Sequence, residues 1–218
     1  VTFANVWGLT EATSIVTCAV GRDWLDRPWT VGQPVPGVRV AVAVDGTMQE
    51  APDPDVVGEL WVSGPMVTGG YWNRPDATAE TFRADGWLRT GDVGRADADG
   101  YVQVLDRMRD MIIRGGENIY SLEVETILAR HPAVAEVAVL GVPDDLFGER
   151  VRAVVVVRTG EHLEISTLRE WAAEQLADYK LPAELITLAE LPRNASGKVI
   201  KKQLAELTAE IPPAGTRP

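Results

Sequence analysis

A chain of 218 residues, 45% hydrophobic and 24% charged, is long enough to bury a real core, as one large domain or two small ones. Its formal net charge of −11 excludes a general nucleic-acid-binding surface, although a local positive pocket could still take an anionic nucleotide. The single cysteine, Cys18, excludes an internal disulfide framework and fits a reducing, cytoplasmic setting, and no apolar run approaches the roughly 18–20 residues that span a bilayer.

In chain order, the opening VTFANVWGLTEATS has no initiator methionine and is densely apolar, so the chain is expected to be a piece of a longer protein. Residues 1–20 read as a strand, a tight turn at Gly8, then helix or coil. Alternating or apolar runs bounded by Gly, Pro or Asp predict strands at 38–44, 58–64, 86–92 and 100–107, with DADG at 97–100 as a turn. The texture then changes. SLEVETILARH (121–131) has helical spacing with Ser121 placed as its cap, and 134–142 and 151–157 read as buried strands. ISTLREWAAEQLADYK (165–180) predicts an amphipathic helix stopped by Pro182, ELITLAEL a third strand, and VIKKQLAELTAE a final helix. Strands interleaved with helices suggest a compact α+β module in the second half, and the tail IPPAGTRP is expected to be disordered.

Several stretches invite chemistry, each with a plainer alternative. VWGLTEA (6–12) sets an aromatic, a glycine, a hydroxyl and a carboxylate side by side, but Thr10-Glu11 could simply cap a helix. WLRTGD (87–92) ends in an exposed-looking aspartate at a turn, and Tyr71 and Trp72 of YWNRPDATAETF (71–82) read most simply as core aromatics. Gly115-Gly116 could be an ordinary loop, Cys18 a small buried residue, and neither histidine has a recognisable catalytic context. In LPRNASGKVIKK (191–202), Lys198 follows Ser196 and Gly197, which permit sharp turns, and a long flexible stem suits a charge delivered to a partner.

Taken in order, W-G-L-T-E, G-E-L-W-V-S-G, G-Y-W-N-R-P-x-x-T, R-T-G-D, D-R-x-x-D-M-I-I-R-G-G-E-N-I-Y and P-R-N-A-S-G-K resemble the adenylate-forming superfamily of acyl-CoA synthetases, luciferases and adenylation domains. The resemblance spans residues 5–202 and implies an α/β and α+β fragment of a two-domain enzyme. Residues 1–106 would end a large AMP-binding N-terminal domain in a β-barrel-like antiparallel subdomain, 107–110 would be a hinge, and 111–211 a small α+β C-terminal lid, with 212–218 the tail. Such enzymes consume a carboxylate and ATP, form an acyl-adenylate as pyrophosphate leaves the nucleotide, and usually pass the acyl group to a thiol.

The resemblance also implies roles. Lys198 would bond the acyl carboxylate and the phosphate oxygens, Thr10 would donate to the α-phosphate, and Glu11 would be a ligand of Mg²⁺. Trp7, standing where a tyrosine is common, would pack on the adenine beside Gly8, with Asn5 pairing the adenine amino group. Asp92 would accept both ribose hydroxyls and Arg107 would contact ribose or phosphate; Arg109 stands at the hinge position, where Asp or Lys is usual. For transfer to CoA, Gly115 and Gly116 would admit the pantetheine arm, and Glu117 would engage a histidine of the missing N-terminal part. Phe147 and Tyr179 would clamp the CoA adenine, although Leu181 and Ala183 replace the basic residues that elsewhere follow. The phosphate loop and most of the acyl pocket would lie upstream, so the isolated chain is expected to be inactive. D-M-I-I-R-G-G-E-N-I-Y favours a CoA ligase for a fatty, aryl or other hydrophobic acid; the alternatives are loading of a carrier-protein thiol, or a non-catalytic nucleotide- or CoA-binding module.

Overall fold

Period-two alternation yields a sheet wherever one face can be buried. In the computed structural model, which describes residues 2–49, 51 and 53–211, the chain parts between Arg109 and Asp110 into two units. In the first, β1 (Ala4–Trp7), β2 (Thr17–Val20) and β3 (Gln33–Pro34) form a small antiparallel sheet, with helix α1 (Arg22–Asp26) after β2. A second antiparallel sheet follows, made of β4 (Arg39–Val44), β5 (Thr47–Met48), β6 (Gly58–Ser63), β7 (Leu88–Ala96) and β8 (Val102–Arg107), with helix α2 (Pro75–Thr81) between β6 and β7. Its order is β5-β4-β6-β7-β8. The barrel-like subdomain expected from the sequence is therefore an open sheet, because β5, two residues long, cannot carry a closing ladder.

The two sheets are joined through backbone: Val31 N–H donates to Val102 O and Val102 N–H to Gly32 O, both at 2.9 Å. Trp7, Val16, Leu60, Val62, Leu88 and Val102 fill the shared core. Full burial of a leucine such as Leu60 or Leu88 contributes about 1.5–3 kcal/mol. The DADG turn forms as expected, with Asp97 Oδ1 accepting the N–H groups of Asp99 and Tyr101 and Gly100 at φ 81°.

The second unit contains β9 (Ile112–Arg114), β10 (Glu117–Ile119), helix α3 (Ser121–Leu128), β11 (Val134–Asp144), β12 (Gly148–Val157), helix α4 (Ile165–Ala173), β13 (Glu184–Thr187) and helix α5 (Lys201–Thr208). The sheet order is β10-β9-β12-β11, with β13 parallel to β12. Along β12, Val151, Ala153 and Val155 belong to one core with α3 and α4, while Val154 belongs to another with Leu204 of α5. Apolar cores on both faces explain why VRAVVVV reads as a continuous run rather than an alternation. Arg152 interrupts the run, and its guanidinium meets Glu184 Oε2 at 2.5 Å and Thr208 O at 3.0 Å.

Three expectations need correction here. Ser121 is the first residue of α3, not its cap; the cap position is Tyr120, and the Ser121 hydroxyl accepts from Lys201 Nζ at 2.5 Å. Helix α4 ends at Ala173 rather than Lys180, because Ala177 is extended and residues Asp178–Lys180 form a separate 3₁₀ turn, with Leu176 and Leu181 still in the core. Cys18 is half-buried rather than a core residue. Of the tail expected to be disordered, Ile211 is described and packs beside the α5 core, and residues 212–218 lie outside the described residues. Among the described residues, no helix is long and apolar enough to cross a membrane.

His131 is buried edge-on to Trp171, and its Nδ1 accepts the Ala133 N–H at 3.1 Å. Burial lowers its pKa, so the folded state disfavours the imidazolium. Its contribution to stability is present above the unfolded value of about 6.5 and is lost as pH falls from there through the folded pKa. Thermal melts of the wild type should therefore lose Tm below about pH 6.5 more steeply than those of His131→Gln.

Candidate functional site

Gly8 lets two backbone segments touch. A Cβ there would lie 1.5 Å from Ser14 O, so only glycine closes the loop after β1. The loop contains a 3₁₀ turn over Thr10–Ala12, with Thr10 exposed and Glu11 half-buried. The sequence suggested that Tyr71 and Trp72 are core aromatics, but Tyr71 is 36% and Trp72 89% exposed. The Tyr71 hydroxyl donates to Glu11 Oε1 at 2.6 Å. Partial burial, reinforced by that bond, raises the Tyr71 pKa and keeps the phenol a donor at neutral pH.

Asp92 is the second focus. The T-G-D motif reads as a turn with an exposed aspartate, yet Asp92 lies inside β7 and is 2% exposed. Arg107, its cross-strand partner on β8, donates through Nε to Oδ1 at 2.5 Å, and the Trp7 indole Nε1 donates to Oδ2 at 2.8 Å. Thr90 Oγ1 steadies this stretch of β7, accepting the Asp92 N–H at 3.0 Å and donating to Leu60 O at 2.6 Å. Trp7 is only 8% exposed and packs in the first unit's core, so the stacking platform expected for adenine is here a buried ring that reaches Asp92 through its N–H. Asn5 donates through Nδ2 to Thr30 O at 2.8 Å, which leaves Oδ1 as the acceptor an adenine amino group would need. Arg109 lies in the exposed 3₁₀ turn Met108–Asp110.

In the second unit, Gly115 and Gly116 form the two-residue turn of the β9–β10 hairpin, with φ of 60° and 89°. Positive φ at both positions is the condition of the mirror-image turn that suits strand twist, so both glycines have a structural reason to be there. Glu117 opens β10 and is exposed. Gly115 N–H donates to Phe147 O at 2.7 Å, and the Arg114 guanidinium lies 4.5 Å over the Phe147 ring while Nη1 reaches Tyr179 O at 3.5 Å. The structure thus gathers Gly115, Phe147 and Tyr179 around Arg114, a residue that sequence reasoning passed over. The N–H groups of Phe147 and Leu146 donate to Asp144 Oδ1 and hold its pKa below the usual carboxylate range. Tyr179 packs against the core, and Lys180 is paired with Glu123 at 2.7 Å.

Lys198 stands on a turn that closes on itself. Asn194 Oδ1 accepts from Ser196 N–H (3.0 Å), Ser196 Oγ (2.8 Å) and Lys198 N–H (2.9 Å). Asn194 N–H donates to Lys198 O, Arg193 bridges Val199 across the turn, and Arg193 Nη1 donates to Gly197 O. The lysine side chain is exposed at the closing end of the turn, opposite Asn194. Asn194 in N-A-S-G carries the sequence signal of an Asx turn, beside the glycine and lysine.

Residues 1–72 match the family described as AMP-binding enzyme, and residues 123–198 match the AMP-binding enzyme C-terminal domain. The chain belongs to the adenylate-forming, AMP-binding enzymes. It is 44% identical over 208 residues to the 2-succinylbenzoate–CoA ligase of Bacillus cereus (strain Q1), covering 95% of this chain and 42% of that protein. It is 42% identical to the fatty acid–[acyl-carrier-protein] ligase ScoC of Streptomyces coeruleorubidus, covering 94% of this chain and 39% of the relative. Among solved structures, it superposes with TM-score 0.86 and 38% identity on the o-succinylbenzoate CoA synthetase of Bacillus subtilis in complex with its acyl-adenylate, covering 92% and 40% of the two chains. The same enzyme complexed with ATP and magnesium ion gives a TM-score of 0.85 at 37% identity, over 93% of this chain and 41% of that one. The chain thus spans about two-fifths the length of the curated relatives named here. Among the described residues no three His, Cys, Asp or Glu side chains could cage a metal. Glu11 still suits Mg²⁺, a hard ion that takes one or two carboxylates and fills its shell with water and phosphate oxygens.

Two substitutions test this geometry. Trp7→Phe removes a donor from a nearly buried carboxylate and should lower stability by about 1.5–3 kcal/mol, seen as a reduced urea midpoint with an unchanged slope. Asn194→Ala should speed amide exchange at residues 196–198 while shifting global unfolding by less than about 0.5 kcal/mol.

Proposed function

We propose that this chain is the C-terminal portion of an AMP-forming acid–thiol ligase, which activates a hydrophobic or aryl carboxylic acid with ATP and Mg²⁺ and transfers the acyl group to CoA. The observation that carries the reading is Lys198, exposed on a turn closed by Asn194 and Arg193. A module that only bound nucleotide would have no need of a cation presented in that way.

In this reading residues 1–106 end the AMP-binding domain, 107–110 act as a hinge at Arg109, and 111–211 form the lid. Asp92 holds the ribose hydroxyls with Arg107 beside it. Asn5 reads the adenine amino group, Trp7 and Gly8 shape that side of the nucleotide site, and Thr10 donates to the α-phosphate. Lys198 lowers the repulsion as the acyl carboxylate meets the α-phosphate, and holds the two in line. Mg²⁺, when bound with ATP, would be held on the protein side by Glu11 and would neutralise phosphate charge. Gly115, Gly116 and Glu117 then border the path of the thiol arm, with Phe147 and Tyr179 toward the CoA nucleotide. The phosphate loop and acyl pocket lie in an upstream part of the same enzyme, so this segment alone is inactive, and the enzyme works in the cytoplasm.

A second reading, transfer to a carrier-protein thiol, is favoured by one observation. Lys180 is committed to Glu123, and Leu181 and Ala183 follow where basic residues would grip the CoA phosphates. The full-length protein, given ATP, Mg²⁺ and a panel of carboxylic acids with and without CoA, should yield acyl-CoA by mass spectrometry. Acyl-AMP that ignores CoA and loads a carrier protein would move the answer to the second reading, and no product at all would refute both. Lys198→Ala should slow adenylation by about 100–1000-fold.

A further inference from the structure

The segment YWNRPDAT has more scaffolding than a surface loop requires. Gly70, at φ 140°, stands where a Cβ would come within 2.5 Å of Thr78 Cγ2, so only glycine lets Tyr71 settle over α2. The Tyr71 N–H donates to Thr78 Oγ1 at 2.9 Å, and that hydroxyl donates onward to Arg74 O at 2.8 Å, at the start of the helix begun by Pro75. The Tyr71 ring meets Phe82 edge-on, with centroids 5.4 Å apart. The backbone around Glu11 is tied to the same region, since Thr68 N–H donates to Glu11 O at 2.8 Å and Thr13 Oγ1 to Met66 O at 2.7 Å. All of this converges on the 2.6 Å bond from the Tyr71 hydroxyl to Glu11 Oε1.

A phenol–carboxylate bond at a partly exposed site contributes little to fold stability. Its value lies in direction. We propose that Tyr71 is a positioning residue for Glu11, taking Oε1 so that the carboxylate is held in one rotamer with Oε2 turned toward the divalent cation that accompanies the nucleotide. The inference rests on the adenylating reading of the chain. A carboxylate fixed beforehand has less side-chain freedom to lose when the cation arrives. Groups that orient a metal ligand in this way typically change metal affinity or activity by about 10–100-fold when removed.

The test uses the full-length protein in four forms: wild type, Tyr71→Phe, Glu11→Gln, and both together. Mn²⁺ binding in the presence of ATP is counted by electron paramagnetic resonance, and the half-saturating Mg²⁺ for adenylation, the KM for the acid and the Tm are measured alongside. Tyr71→Phe, which keeps the ring on Phe82, should weaken Mn²⁺ binding and raise the Mg²⁺ requirement by about 10–100-fold, with the acid KM and the Tm unchanged. In the Glu11→Gln background the same change should do nothing, because the two residues act as one unit. Wild-type binding that Tyr71→Phe leaves intact, or an equal loss in both backgrounds, overturns the positioning role alone. A wild type that binds no Mn²⁺ with ATP overturns the adenylating reading and the inference with it.

Discussion

Asp92 must keep a carboxylate at 2% exposure, and that requirement shapes the first unit. Removing such a charge from water costs several kcal/mol unless donors meet it. One donor comes from Arg107, directly opposite on the neighbouring strand, and one from Trp7, 85 residues earlier and in the other sheet. The pairing of β7 with β8 is thereby pinned, since a slip of one residue would turn Asp92 to the opposite face. The same bond ties β1 to the larger sheet, so the loop that follows β1, with Thr10 and Glu11, starts from a fixed point. The second unit solves the equivalent problem with Arg152, Glu184 and Thr208, which link β12, β13 and the end of α5. In each unit a buried charge joins elements far apart in sequence.

The polar groups divide by exposure in line with the roles proposed for them. Asp92 is sheltered and doubly held, which suits a group that recognises a ligand in one orientation. Lys198 is exposed, which suits a group that meets an anion only at one stage. Glu11 lies between these, half-buried, with one oxygen held by Tyr71. The gradation follows from chemistry: a desolvated acceptor discriminates, while a solvated ammonium can engage and let go.

Strands were legible in the sequence where alternation was bounded by Gly, Pro or Asp, as at β4, β6 and β8, and where an apolar run broken only by Arg152 announced β12. The end of α4 was not, because Leu168, Ala172, Leu176 and Tyr179 keep a helical spacing through a chain that has already turned. Closure of the large sheet was also out of reach, since it depends on the two-residue length of β5. In the site, Gly8 and Lys198 could be singled out from residue types and order alone. The burial of Asp92 could not, because T-G-D signals a turn whether or not a sheet encloses it. Nor does composition reveal which aromatic faces outward; Tyr71 and Trp72 sit in an apolar-looking stretch, and only the fold over α2 exposes them.

The turn around Lys198 has a thermodynamic consequence. Its hydrogen bonds lie mostly among residues 193–199, chiefly through the Asn194 side chain, with Arg193 also anchored to Glu136 of β11. Each backbone residue fixed in one conformation costs about 1–2 kcal/mol of entropy, and here that cost is met when the unit folds rather than when an anion is bound. What remains to be ordered is the lysine stem itself, about 2 kcal/mol of rotamer freedom at most. In the proposed role of Lys198, the binding free energy of an arriving anion would therefore be left almost whole for the charge interaction, instead of being consumed in shaping a loop.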